Sequence, residues 1–249
     1  MKNPSQHLTT QQLHLLKIIY KFRFVTADLV AKYKKVSTRA TNEAFSILLQ
    51  RKIISRHYDK TYILLGKGAR YYLAPQALKL LKSDGLNELA LHARYKDRSA
   101  SEQFIEHCLN ILIASLNIQV AYKKDFLIYT KAELADQSYF PRPLPDIYLK
   151  REVPTQDMPN EYFIDIFSDS QFFIIKKRID QYIEHFESGD WGGGNYPNIL
   201  LACPNNTTAQ KILKYVETTL DNKYIDDNEL IFKTVLTKDL VKKDKIVNL

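Results

Sequence analysis

Pro145-Asp146-Ile147-Tyr148-Leu149 and, after a polar gap, Tyr162-Phe163-Ile164-Asp165-Ile166-Phe167 decide how the chain is read. Each is a short run of β-branched and aromatic residues bounded by polar, proline-containing turns, the pattern of a strand. Each also carries one carboxylate. Burying an ionised carboxylate without a partner is costly, so two of them on neighbouring strands suggest a shared task. A divalent metal held by Asp146 and Asp165 is the leading expectation.

The surroundings of this pair read as an α/β domain over residues 99–249. Ser99 or Ser101 caps a long helix whose stripe is Phe104, Ile105, Cys108, Leu109, Leu112, Ile113 and Leu116. Glu102 and Glu106, four apart, lie together near its first turns. Ile118–Tyr122 and Phe126–Tyr129 look like strands. Beyond the pair come a helix at Gln171–Glu187, a strand at Asn198–Ala202, a helix at Thr207–Leu220 and a strand at Leu230–Leu236. A helix, a run of strands and then helices alternating with strands imply a mixed sheet flanked by helices.

The front of the chain is different in charge. Residues 1–99 hold 19 Lys and Arg against 6 Asp and Glu, a surplus of 13, whereas the remainder holds 17 against 22. This asymmetry argues for two domains, the first of which meets a polyanion. Thr9 or Thr10 caps a helix carrying Leu13, Leu16, Ile19 and Tyr20, Thr26 caps a second with Leu29, Val30 and Tyr33, and Ser37 opens a third that runs to about Arg51. Ile53–Tyr58 and Thr61–Leu65 then read as a hairpin around Asp59-Lys60. Three helices and a hairpin are the order of a winged helix-turn-helix over residues 1–75. Residues 76–98, with a short helix at Ala77–Lys82, read as a connector.

The third helix carries the sharpest local signal. Ala40, Ala44, Ile47 and Leu48 share one face, and Arg39, Asn42, Ser46 and Gln50 the other. Arg suits guanine edges, and Asn or Gln suits adenine. Ser37 and Thr38 at the helix start, with Arg56, His57 and Lys60 near the hairpin tip, complete the expected double-stranded DNA contacts. A solvated polar face, or a winged helix used for protein contacts, is the competing reading.

The element order with Pro145-Asp146 on one strand and Asp165 on the next resembles the restriction-endonuclease-like, PD-(D/E)xK fold. The resemblance implies Mg2+ or Mn2+ held by Asp146 and Asp165, with Glu106 or Glu102 as a helix carboxylate. In that family a Lys stands two residues after the second acid; here the position is Phe167. The following helix offers Lys176 or Arg178 instead, beside a buried stripe of Phe172, Ile175, Ile179, Tyr182 and Phe186. Over roughly residues 9–203 the chain resembles the bacterial replication-relaxation family. The resemblance rests on the winged-helix pattern, the helix start Lys67-Gly68-Ala69, a helix with His107, Leu144-Pro145-Asp146, the strand Tyr162–Phe167 and the helix ending Arg178-Ile179-Asp180-Gln181-Tyr182. That family is associated with plasmid relaxation before replication and is similar to the C class of mobilisation relaxases. Its strand tends to read Glu-x-Asp, where this chain has Asp165-Ile166-Phe167.

Three functions follow as expectations. The first is a DNA-binding protein of a plasmid or mobile element, acting in relaxation, replication or mobilisation with other relaxosome or replication proteins. The second is a metal-dependent endonuclease or nickase, and the third a transcription repressor, for which a homodimer is compatible. Other classes fit poorly. There is no phosphate-cradling glycine loop and no Cys/His zinc spacing. Cys108 and Cys203 read as reduced, buried thiols. None of the 16 tyrosines stands in a His-rich relaxase-like context. Asp190-Trp191-Gly192-Gly193-Gly194-Asn195 reads as a surface loop. No apolar run approaches the ~18 residues of a membrane span, and residues 1–6 lead into no signal-peptide core, so a cytoplasmic location without membrane contact is expected.

Overall fold

A computed structural model describes residues 8–86, 88–123, 125–154, 159–168, 170–192 and 194–242. The chain divides into two compact units, Met1–Leu112 and Ile113–Leu249. The first is helical with a small hairpin, and the second is a mixed five-stranded sheet flanked by helices, which makes the chain α+β.

In the first unit, α1 (Thr10–Phe22), α2 (Ala27–Lys34) and α3 (Thr38–Gln50) follow one another. Thr9, Thr26 and Ser37 cap them by accepting from the backbone N–H of Gln12, Leu29 and Ala40. Each cap satisfies one of the donors that a helix start leaves unpaired. Leu15, Leu16, Ile19 and Phe22 of α1, Leu29 and Val30 of α2, and Phe45 and Leu48 of α3 are buried. β1 (Ile54–His57) pairs antiparallel with β2 (Arg70–Leu73). Val25 and Tyr71 exchange both backbone hydrogen bonds, adding a third, minimal strand.

The hairpin differs from the sequence expectation. Residues 61–65 are not its second strand; Lys60–Leu64 form a short helix, α4. Asp59 is its N-cap, accepting from Tyr62 N–H at 3.1 Å, so Asp59-Lys60 is a helix start and not a two-residue turn. The strand pairing goes to Arg70–Leu73, all four of whose side chains are buried, with Tyr71 against Phe45 at a centroid distance of 4.4 Å. The helix expected to start at Lys67-Gly68-Ala69 is therefore strand from Arg70 onward. Three consecutive apolar residues, Ile63, Leu64 and Leu65, lack the alternation that a one-sided hairpin needs. The inner face of α3 is also shifted: Thr41, Phe45 and Leu48 are buried, while Ala40 and Ile47 are exposed.

Residues 76–98, read as a connector, belong to the first unit. They form α5 (Pro75–Ser83), α6 (Glu88–His92) and most of a 3-10 turn at Ala93–Ser99. Arg94 donates to the Tyr20 carbonyl at 2.9 Å, and Arg23 donates to Asp97 at 2.5 Å, both tying the stretch to the end of α1.

The long helix α7 (Glu102–Tyr122) contains the division between the units. Ile118–Tyr122, expected as strand, is its last turn. The β-branched Ile118 continues the buried spacing of Ile111, Leu112 and Ala114, so helical packing overrides strand propensity. Asn117 donates to the carbonyls of Leu240 and Lys242, each at 2.8 Å. Among the described residues, α7 is the one helix long and apolar enough to cross a membrane, and half of that stretch is buried within the fold.

The sheet of the second unit runs β3 (Phe126–Thr130), β4 (Ile147–Arg151), β5 (Glu161–Ile166), β6 (Asn198–Cys203), β7 (Phe232–Leu236) in that spatial order. The first three strands are antiparallel and the last two run parallel to β5. Helices α8 (Phe172–Ser188) and α9 (Asn206–Lys223) make the two parallel connections. Ile175, Ile179 and Tyr182 of α8 and Ile212, Val216 and Leu220 of α9 join Phe163, Phe167, Ile199 and Leu201 in one core. The opposite sheet face buries Ile147, Leu149, Tyr162, Ile164, Leu200 and Ala202. A short α10 (Thr237–Val241) closes the described part of the unit.

Candidate functional site

Strand register brings the two carboxylates together. Thr130 pairs with Ile147, and Ile147 pairs with Ile164. One step further along, Lys131, Asp146 and Asp165 stand in a row across three strands. Side chains two apart share a sheet face, so Asp165 lies on the face of Phe163 and Phe167, which α8 covers, and Asp146 on the face of Tyr148. This explains why Phe167 occupies the position where the resemblance implies a Lys: its ring is part of the core under α8.

The row is closed by short hydrogen bonds. Asp146 N–H donates to Asp165 Oδ1 at 3.0 Å, and Ile166 N–H donates to Asp146 Oδ2 at 2.8 Å. Lys131 Nζ donates to Asp146 Oδ1 at 2.7 Å. Arg178 Nε and the Tyr182 hydroxyl both donate to Asp165 Oδ2, at 2.5 and 2.8 Å. Arg178 also donates to Tyr182 Oη at 2.8 Å and to the Pro143 carbonyl at 2.6 Å. Asp146, Asp165 and Arg178 are buried, whereas the Lys131 side chain is 48% exposed.

Two carboxylates thus face two cations, and all four carboxylate oxygens accept hydrogen bonds. Burial works against the charge of Arg178, but Asp165 more than offsets it and raises the guanidinium pKa further. Burial likewise opposes the Lys131 ammonium, and the nearby Asp146 and Asp165 more than offset it, so the pKa rises. The Tyr182 phenol is pushed well up, by burial first and by Asp165 next, and stays a donor. Arg178 follows Ile175 by three positions on α8, so it rises from the buried face of the helix toward the strand ends.

The donor set bears on the metal expectation. Mg2+ is bound through one or two carboxylates and retained waters. Here both carboxylates are already neutralised by Lys131 and Arg178, and among the described residues no group of three His, Cys, Asp or Glu gathers at any point. As arranged, the residues make a charge-balanced set that does not fit a dication.

The other expected site residues fall elsewhere. Glu106 accepts from Lys67 at 3.3 Å and Arg70 at 2.9 Å, and Glu102 from Lys67 at 2.9 Å and from the Tyr62 hydroxyl, all in the first unit. Lys176 lies over the Tyr215 ring at 4.3 Å, turned toward α9. Of the two basic residues expected from this helix, Arg178 reaches Asp165. Lys131 escaped the sequence reading; the signal was its position one residue past a strand that pairs with the Asp146 strand. Trp191, read as part of a surface loop, packs against Phe140 and Phe163, each at 5.3 Å.

On α3, Arg39, Asn42, Ser46 and Gln50 are all exposed on one side. Arg39 makes an i,i+4 ion pair with Glu43 at 3.1 Å, with its side chain 90% exposed. Ser37 is occupied as the N-cap, and Thr38 is exposed beside it. Arg56 lies over the Tyr58 ring at 5.4 Å, and Lys60 is exposed at the start of α4. His57 is half-buried: its ring lies tilted against those of Phe24 and Tyr72, and Nε2 lies 3.1 Å from the Asp97 carbonyl. It is fixed within the unit instead of projecting from a tip.

Comparison with known proteins finds no matching family model, no matching curated sequence and no matching solved structure.

Proposed function

We propose that this chain is a double-stranded DNA-binding protein of a plasmid or mobile element, in which the first unit docks the major groove through α3. The observation that carries the reading is the exposed row Arg39, Asn42, Ser46 and Gln50 on the third helix of a unit with a large cationic surplus. A major groove admits one α-helix, and these side-chain types pair with base edges. Exposed Ala40 and Ile47 flank that row and suit thymine methyl groups. Thr38, Arg56 and Lys60 serve as phosphate contacts. The second unit is a nuclease-like scaffold whose Asp146–Asp165 pair is held in salt bridges. The association with plasmid relaxation, replication or mobilisation comes from the family resemblance.

A gel-shift series on plasmid-derived duplexes tests this. Arg39→Ala and Asn42→Ala should each weaken specific binding by ~1–3 kcal/mol, as loss of a bidentate base contact does. Unchanged binding by both variants would sink the groove-reading role.

A metal-dependent endonuclease or nickase is the second reading. It rests on the family resemblance, and it requires Lys131 to release Asp146 and Arg178 to release Asp165. Nicking of supercoiled plasmid in Mg2+ or Mn2+ tests it; nicking that survives Asp146→Asn rejects this site.

A further inference from the structure

The segment between β1 and β2 displays apolar side chains to water. Tyr58, Ile63, Leu64 and Leu65 are 43%, 59%, 86% and 64% exposed. The display is braced. Asp59 caps α4, Leu65 N–H returns to the Thr61 carbonyl at 3.0 Å, and Tyr62 beneath is buried and donates to Glu102. The exposed cations Arg56 and Lys60 flank it, with Asp59 and Glu102 also at hand. An ordered apolar tip on a unit with a cationic surplus is the combination that an interaction site produces, since exposed apolar area has no gain in water.

We infer that Ile63, Leu64 and Leu65 form a wedge that enters the minor groove of duplex DNA and bends it by partly unstacking a base step. The inference rests on the DNA-binding reading above and adds a second, groove-deforming contact to it. Charge complementarity selects the occupant. A polyanion matches the surplus of 13 cations in residues 1–99, whereas a second copy would bring that surplus against itself. A stable protein interface also takes roughly 20–30 residues a side, far more than this tip offers. Leu and Ile are side chains that minor-groove proteins insert between base steps.

The test uses the full chain and a mixed-sequence duplex, end-labelled with donor and acceptor dyes and well under the ~150 bp persistence length. Anisotropy reads binding, and end-to-end energy transfer reads bending. Wild-type protein should raise the transfer efficiency at saturation. Leu64→Ala/Leu65→Ala should still bind within about tenfold, because phosphate contacts supply most of the affinity, and should lose the rise. Leu64→Phe should keep it. These residues are exposed, so the variants should retain the wild-type circular dichroism and melting temperature. Wild-type binding without bending, or bending by the double variant, overturns the wedge and leaves the DNA-binding reading standing. No DNA binding by the wild type overturns both. Wild-type self-association in DNA-free sedimentation that the double variant abolishes would assign the tip to a second copy. Loss by that variant of wild-type binding to phosphatidylglycerol vesicles would assign it to a lipid surface. Either result overturns the wedge.

Discussion

Asp165 accepts from the Asp146 amide, the Arg178 guanidinium and the Tyr182 phenol, so its charge is matched and its lone pairs are used. Removing one member of a buried ion pair strands the other. Asp165→Asn should destabilise the second unit by about 3 kcal/mol, since breaking a buried pair typically costs 3–5. Arg178→Met should cost a similar amount, and the double variant less than the sum, because the two residues couple directly. Chemical denaturation checks this; additive losses would mean that the pair is not energetically linked. Lys131→Met should cost only about 1 kcal/mol, because water can reach the half-exposed end of that bond. His185 gives a pH dependence. Its Nδ1 lies 2.8 Å from the Tyr196 hydroxyl and its Nε2 3.0 Å from the Tyr139 carbonyl, so the neutral ring accepts at one nitrogen and donates at the other. Burial lowers its pKa. The unfolded state therefore binds the proton more readily, and the contribution of this residue is fully present above the ordinary histidine pKa of ~6.5 and is lost as pH falls through the folded value. Melting temperature should drop between neutral and mildly acidic pH more in the wild type than in His185→Gln.

At the scale of elements, the caps and registers carry the arrangement. Ser37→Ala removes the cap of α3 and should cost about 1 kcal/mol, read as a lower melting temperature of the chain. Helices α8 and α9 and the strands of the carboxylate pair were legible in the sequence because their periodicity is long and their boundaries are marked by Pro, Ser, Asn or Gly. The opposition of Asp146 and Asp165 was legible for the same reason. Lys131 was not, because it sits in a turn after β3, and only the paired registers of three strands bring it beside Asp146. Residues 61–65 were misread because Ile-Leu-Leu carries strand propensity without strand alternation, while the real partner, Arg70–Leu73, hides its register behind two adjacent tyrosines. On α3 the alanines drew the inner face one position off; Phe45, the largest side chain there, sets where the helix packs.

At the scale of the molecule, the cationic surplus of residues 1–99 sets how the proposed DNA binding should respond to salt. DNA affinity should fall linearly in logarithm with salt, and Arg39→Ala should reduce that slope by about 1 if Arg39 meets a phosphate, or leave it nearly unchanged with relaxed specificity if it meets a base. A second consequence follows from α7. Its first turns supply Glu102 and Glu106 to Tyr62, Lys67 and Arg70, and its later turns supply Asn117 to the carbonyls of Leu240 and Lys242. One helix is thus common property of both units, and a helix propagates or frays as a cooperative object. Melting should then be a single event despite two cores, with van't Hoff and calorimetric enthalpies agreeing; two resolved calorimetric peaks would show the opposite. A proteolytic fragment ending near Ser99 should fail to hold its hairpin, while one ending at Tyr122 should keep it, because Glu102 and Glu106, the partners of Tyr62, Lys67 and Arg70, lie between those two ends.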